Sequence, residues 1–179
     1  MTFKNMTIEI ATMRLKIRTL VSSDNFKEYL SWMQNRENRF ISSIDPSITE
    51  ENLVQYVEEK NASQSAILLG IFNILDDAHI GNLKFEPVII KKQTAVLGVL
   101  IGNPHFRGVG IAQEAVSAST KYLFNSHGIH RYLLGVRKDN LPAIRAYIKS
   151  GFNVSELNVL NLDSESHEML LDLKNKKYG

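Results

Sequence analysis

The 179-residue sequence contains no cysteine. That excludes disulfides, thiolate-held zinc, iron–sulfur clusters and a cysteine acyl-enzyme in one step. Net charge is also scarce: 21 Lys+Arg against 19 Asp+Glu leave +2, so bulk attraction to nucleic acid or anionic lipid is not expected. Long apolar runs are missing. The stretches around 66–75 and 95–101 fall far short of the ~20 residues a bilayer span needs. The first residues interleave Lys4, Asn5, Glu9 and Arg14 with apolar ones, leaving no uninterrupted core of a secretory signal. His79, His105, His127, His130 and His167 show no H-x3-H or H-E-x-x-H spacing, so no metal site is expected. From these absences a cytoplasmic protein is expected, with neither membrane nor nucleic acid as partner.

What is present can fill a core: 44% of residues are hydrophobic and 22% charged, far from the composition of a disordered chain. With a typical ~150 residues per domain, residues 1–179 are expected to form one domain. Met13–Arg18 alternates apolar and basic residues, the pattern of a half-buried strand. Phe26, Tyr29, Leu30 and Met33 mark one helical face, and a second helix follows the capping candidates Ser47 and Thr49, with Leu53, Tyr56 and Val57 on its buried side. Three strand-like runs come next, 65–74, 79–85 and 94–101, with connections short enough for an antiparallel meander. A helix over 110–126, a strand over 131–136, a helix over 140–150 and strands over 152–160 and 166–173 complete the chain. This order is neither regular strand–helix alternation nor all strand, which indicates an α+β fold: a mixed sheet covered by helices. The unit from Thr94 to Val136 should cross over right-handed and set two parallel strands side by side.

That unit carries the chemistry. The apolar strand 95–101 runs into Gly102-Asn-Pro-His-Phe-Arg107-Gly108-Val109-Gly110-Ile111-Ala112 and then an amphipathic helix. At a helix start the first N–H groups lack intrahelical partners and the dipole adds partial positive charge, so a phosphate is favoured there. Gly108 and Gly110 let the backbone approach a ligand, and Arg107 offers a charged fork. A Walker A loop would need Lys-Ser/Thr after Gly110, where Ile111-Ala112 stand. A dinucleotide fingerprint would need a small residue at Gln113 and an acidic residue about twenty positions on.

The stretch Arg107-Gly-Val-Gly110-Ile-Ala112 resembles the Arg/Gln-x-x-Gly-x-Gly/Ala pyrophosphate motif of the GNAT superfamily of acyl-CoA N-acyltransferases. Asn140-Leu-Pro-Ala143-Ile144-Arg-Ala-Tyr147-Ile-Lys-Ser-Gly151-Phe152 is similar to that family's Asn-x-x-Ala-x-x-x-Tyr-x-x-x-Gly-Phe signature. The likeness extends loosely from Leu15 to Leu173. It implies one acyl-CoA N-acyltransferase domain with a mostly antiparallel twisted sheet, flanking helices and a splayed parallel strand pair. It further implies acetyl-CoA as co-substrate, its pyrophosphate on Arg107, Gly108, Val109, Gly110, Ile111 and Ala112. The pantetheine arm would lie along Val99, Leu100 and Ile101, with an N–H near Leu100 polarising the thioester carbonyl.

Asn140 suits a helix N-cap ahead of Pro142, and the resemblance adds contact of Asn140 and Ala143 with the pantetheine. Tyr147 reads as a core aromatic by pattern alone; the resemblance makes it the acid that protonates the departing thiolate. The amine must lose a proton before attack. A base or a water chain must take it; 94–101 contains no carboxylate, and Glu86 and His105 are the candidates, each also reading as a solvated surface residue. Direct transfer in a ternary complex is expected, because the chain has no cysteine to carry the acyl group.

The resemblance places the acceptor near Tyr29–Pro46 and the loop between the last strands. Tyr29-Leu-Ser-Trp32-Met33-Gln34-Asn35 resembles branches acetylating ribosomal-protein N-termini or amino groups of nucleotide-linked sugars. Trp32 would stack on the acceptor or sit beneath the loop, while Arg36 and Arg39 would bind phosphate or simply solvate it. The basic tail, Lys174, Lys176 and Lys177, suits solvent. The expected function is acetyl transfer to a small amine such as an amino sugar nucleotide, with a protein N-terminus or a non-catalytic acyl-CoA-binding module as alternatives. A homodimer is compatible with each.

Overall fold

The computed structural model describes residues 2–35 and 45–175. The strands are β1 (Glu9–Ala11), β2 (Leu15–Thr19), β3 (Ile67–Asn73), β4 (His79–Ile89), β5 (Thr94–Ile101), β6 (Arg131–Arg137), β7 (Asn153–Ser155) and β8 (Ser166–Asp172). The helices are α1 (Lys27–Gln34), α2 (Glu50–Ala62), α3 (Ile111–His127) and α4 (Leu141–Lys149). The strands form one mixed sheet in the order β1-β2-β3-β4-β5-β6-β8-β7, antiparallel throughout except for the parallel pair β5 and β6. The mixed α+β sheet expected from the element order is thus present.

Both sheet faces are covered, so the central strands are apolar at successive positions rather than alternate ones. Every residue of β3 from Ile67 to Phe72 is buried. Ile67, Leu69 and Ile71 join a core with Ile111, Ala115 and Leu123 of α3, while Leu68 and Phe72 join a second core with Tyr29, Trp32 and Met33 of α1 and Leu53 and Val57 of α2. That division follows the period-two geometry of a strand.

The caps fit their residues. Thr49 accepts the Asn52 N–H at 3.3 Å and Asn52 Oδ1 accepts the Thr49 N–H at 3.0 Å, a reciprocal capping box. Gly128, at φ 71°, closes α3 in the left-handed conformation.

Three boundaries depart from expectation. The short strand β1 has no apolar alternation to betray it; it pairs Glu9 with Arg18 and Ala11 with Lys16. β4 continues past Phe85 because an irregularity between Phe85 and Val88 accommodates Pro87, which has no N–H for the ladder. β7 stops at Ser155. Buried Glu168 accepts the Ser155 hydroxyl at 2.9 Å and the Leu160 N–H at 2.7 Å, drawing the following segment off the sheet.

Candidate active site

β5 and β6 pair only at their first residues, Thr94–Arg131, Ala95–Tyr132 and Val96–Leu133. Beyond that the strands part: β5 stays on β4 as far as Ile101–Gly81, and β6 stays on β8 as far as Arg137–Ser166. The sheet therefore opens at the end where β5 leads into the glycine-rich turn. The Gly102 N–H donates to the Ile80 carbonyl at 3.0 Å. Strand alternation then turns the peptide groups of Gly98 and Leu100 toward β4, and those of Leu97, Val99 and Ile101 toward the opening. The N–H groups near Leu100 that face the opening are accordingly those of Val99 and Ile101, Leu100 itself being turned toward β4.

The turn is built to present donors. Gly108 and Gly110 adopt φ of 76° and 86°, a region L residues avoid, and Gly110 caps α3 without a side-chain hydrogen bond. The first bond of the helix runs from the Glu114 N–H to the Gly110 carbonyl at 3.0 Å. Among the described residues, the N–H groups of 108–113 have no protein acceptor, so they form a concave array suited to a diphosphate. Arg107 turns part of its guanidinium fork back onto the end of β5. Its Nε donates to the Ile101 carbonyl at 2.8 Å and its Nη2 to the Gly102 carbonyl at 2.9 Å, bracing the turn against the strand end. A second guanidinium, which the sequence pattern did not single out, pins the other side. Arg14 donates through Nη1 to the Val109 carbonyl at 2.9 Å and through Nε to Glu114 at 2.7 Å, and Thr12 adds a hydroxyl to the same carboxylate at 2.6 Å. Burial raises the Glu114 pKa, but these donors and the Arg14 charge outweigh it and hold the carboxyl below its ordinary range.

Asn140 caps α4, its Oδ1 accepting the Ala143 N–H at 3.3 Å. Tyr147, on the same helix, is 9% exposed and packs against Phe152 at 5.8 Å between ring centroids. Burial pushes its phenol up to about 12. An ordinary thiol titrates near ~8.5, so complete proton transfer from Tyr147 to a thiolate would run uphill by about 5 kcal/mol. The group is suited to donating a hydrogen bond to sulfur as charge develops.

On the α1 side of β5 lies a cavity of about 430 Å³, lined by Glu28, Ser31, Trp32 and Asn35 of α1 and its end and by Gly102, Asn103, Pro104, His105 and Arg107 of the turn. Trp32 is 5% exposed and lies directly on Gly102. Behind it sits His79, its ring 5.1 Å from Trp32, 6.1 Å from Tyr29 and stacked on Phe72 at 4.8 Å. His79 Nε2 donates to the Gly81 carbonyl at 3.1 Å and to Asn82 Oδ1 at 2.8 Å. His79 Nδ1 and Asn82 Nδ2 are buried without a hydrogen-bond partner among the described residues. Such a group costs about 1–3 kcal/mol unless something satisfies it.

Glu86 is not at this site. It lies five residues along β4 from Gly81, roughly 16 Å at ~3.3 Å per residue, toward the closed end of the split. There it binds Lys60 at 2.8 Å and Lys84 at 3.4 Å. Burial raises its carboxyl, but the two ammonium groups hold it below its usual range, the wrong direction for a base near neutrality. His105, the other candidate base, lines the cavity with Trp32, whereas Arg36 and Arg39 of the expected acceptor site lie outside the described residues. Among the described residues no helix is long and apolar enough to cross a membrane, and no cluster of three or more His, Asp or Glu could hold a metal ion.

Comparison with known proteins adds an independent line. The model of the acetyltransferase (GNAT) domain family matches residues 14–153. The N-acetyltransferase 9-like protein of Caenorhabditis briggsae is 25% identical over 131 residues, 69% of this chain and 66% of that protein, so the chain spans just under two thirds of that relative's length. A GNAT-family acetyltransferase structure from Bacillus anthracis superimposes with a TM-score of 0.77 at 20% identity, covering 93% of this chain and 99% of that one. Spermidine N-acetyltransferase from Vibrio cholerae, solved with CoA and spermine, does so with a TM-score of 0.76 at 16% identity, covering 91% and 98%.

Proposed function

The chain belongs to the acetyltransferase (GNAT) domain family, and from that premise we propose that it moves an acetyl group from acetyl-CoA directly to a primary amine of a small molecule, such as an amino sugar nucleotide. The observation that carries this reading is the open edge of β5 leading into the unpartnered N–H groups of 108–113. Bound there, acetyl-CoA supplies an activated acetyl group. The N–H groups of 108–113 hold its diphosphate, Arg107 and Arg14 keep the turn in that shape, and the β5 edge pairs with the pantetheine amides in strand fashion. Val99 or Ile101 donates an N–H to the thioester oxygen as negative charge grows on it. Tyr147 donates to the departing sulfur. Asn140 contributes at the mouth of α4 as its cap and as a polar neighbour of the pantetheine, with Ala143 behind it.

The acceptor enters from the opposite face, through the cavity beside Trp32. A volume of about 430 Å³ lies in the range of small-molecule sites, and the Glu28 carboxylate on its wall favours a cationic amine. The test is thiol release from acetyl-CoA by the purified chain, with amino sugars, amino sugar nucleotides, polyamines and N-terminal peptides as acceptors. Release driven by a small amine supports the reading. Release with peptides alone moves the acceptor to a protein N-terminus, and tight CoA binding without release to any amine makes the chain a non-catalytic binding module.

A further inference from the structure

The proton that an acceptor ammonium must lose has no carboxylate to receive it on β5, and Glu86 is remote and paired. On the cavity side of the sheet, position 82 of β4 lies directly opposite Leu100, and Leu100 packs with Trp32 in the same core. Asn82 therefore flanks the strand on the face the acceptor approaches, and its side chain joins His79. We propose that His79, oriented by Asn82 and the Gly81 carbonyl beneath Trp32, receives the acceptor's proton through water at its unpartnered Nδ1. The inference rests on the acetyl-transfer reading above.

The tautomer follows from the partners. The Gly81 carbonyl can only accept, so Nε2 carries the hydrogen and Nδ1 the lone pair. Among the described residues no donor or acceptor lies against the buried Nδ1 atom, which is costly for a merely structural histidine and suits one that meets a transient proton carrier. The charges around the ring are balanced. Arg18 and Asp24 form a 2.6 Å pair nearby, Tyr29 faces the ring from α1, and Lys16 and Arg18 sit over the Phe72 ring that stacks on it. Burial lowers the imidazole pKa against the opposing pull of Asn82 and Gly81, which keeps the ring neutral near pH 7 with its Nδ1 lone pair free. In the balanced step, R–NH3⁺ gives one proton by way of water to Nδ1, and the freed nitrogen lone pair forms the C–N bond as the C–S bond breaks. The sulfur leaves as thiolate toward Tyr147, the second proton of the newly acylated nitrogen passes through water to that thiolate to give the amide and free CoA thiol, and the imidazolium returns its proton to solvent.

The test uses the whole chain with CoA bound. In nitrogen-15 histidine spectra at pH 7, His79 should be neutral with Nδ1 unprotonated, and it should protonate reversibly on acidification. An Nδ1–H tautomer would overturn the proposal whatever the acceptor is. His79→Gln keeps a donor for Gly81 but has no basic nitrogen. With spermidine, which is protonated at pH 7, its kcat/KM should fall about a hundredfold and lose the acid limb of the pH profile. With hydroxylamine, already neutral at that pH, it should match the wild type. Equal losses with both nucleophiles, or an acid limb that survives His79→Gln and vanishes in His105→Gln, would overturn the assignment. Absence of transfer by the wild type would fault the parent reading and leave the spectra to decide this one.

Discussion

Gly102→Ala tests the contact between α1 and the end of β5. A Cβ at position 102 would lie inside 3.0 Å of Cδ2, Cε3 and Cε2 of the Trp32 indole, closer than real Cβ contacts come. The obstacle is a rigid ring rather than the end of a flexible chain. Trp32 cannot easily yield, because it is packed at 6.2 Å from Tyr29 and 5.1 Å from His79 and is only 5% exposed. Overpacking of this kind costs about 1–3 kcal/mol. For a chain of this size that corresponds to a fall in Tm of roughly 2–12 °C, readable by calorimetry. Trp32→Leu in the same chain should return much of the loss, giving a coupling free energy of about 1 kcal/mol or more in a double-mutant cycle. Because Trp32 and Gly102 share the cavity wall, the KM for the amine should rise while that for acetyl-CoA stays near the wild-type value. A wild-type Tm for Gly102→Ala, or additive effects of the two substitutions, would refute the contact and with it the placement of the acceptor pocket.

Tyr147→Phe should lower kcat roughly 10- to 150-fold, the worth of about 1.5–3 kcal/mol for a hydrogen bond to a charged sulfur, with CoA affinity unchanged; stopped-flow turnover and calorimetry check the two halves separately. Arg107→Ala should weaken CoA about tenfold by releasing the Ile101 and Gly102 carbonyls, and Arg107→Glu should cost more because it also repels the diphosphate; titration calorimetry measures both. For Asp24, burial raises the pKa but the Arg18 hydrogen bond and charge pull it below its ordinary value, so the folded state holds the proton less tightly than the unfolded one. Its contribution to stability is thus present above about pH 4 and disappears as pH falls through the depressed value. Asp24→Asn should lower Tm by several degrees near pH 6 and by little near pH 2.5, as thermal melts across that range would reveal.

The parts of the fold legible in the sequence are those whose causes are local. The apolar strand into Arg107-Gly-Val-Gly110, the capping Asn140 ahead of Pro142 and the Gly128 stop each act within a few residues of themselves, and each falls where the sequence places it. What was hidden depends on contacts between distant segments. Arg14 and Glu114 lie 100 positions apart, so nothing near either residue signals that a hairpin turn pins the start of α3. Trp32 and Gly102 meet only once α1 lies across the sheet. Glu86 is a chemically sensible base by residue type, but strand register carries it to the closed end, beside Lys60. His79 follows a turn and begins an apolar strand, and its cue is physical rather than sequential: two buried polar atoms left unmatched.

The central claim is that the free edge of β5 and the start of α3 together bind the carrier of the acyl group. Amide spectra of the whole chain titrated with CoA test it most directly. The N–H signals of Val99, Ile101 and residues 108–113 should shift and gain protection from exchange, while those of Gly98 and Leu100, turned toward β4, should change little. Perturbation centred elsewhere, with residues 108–113 unmoved at saturation, would contradict the account.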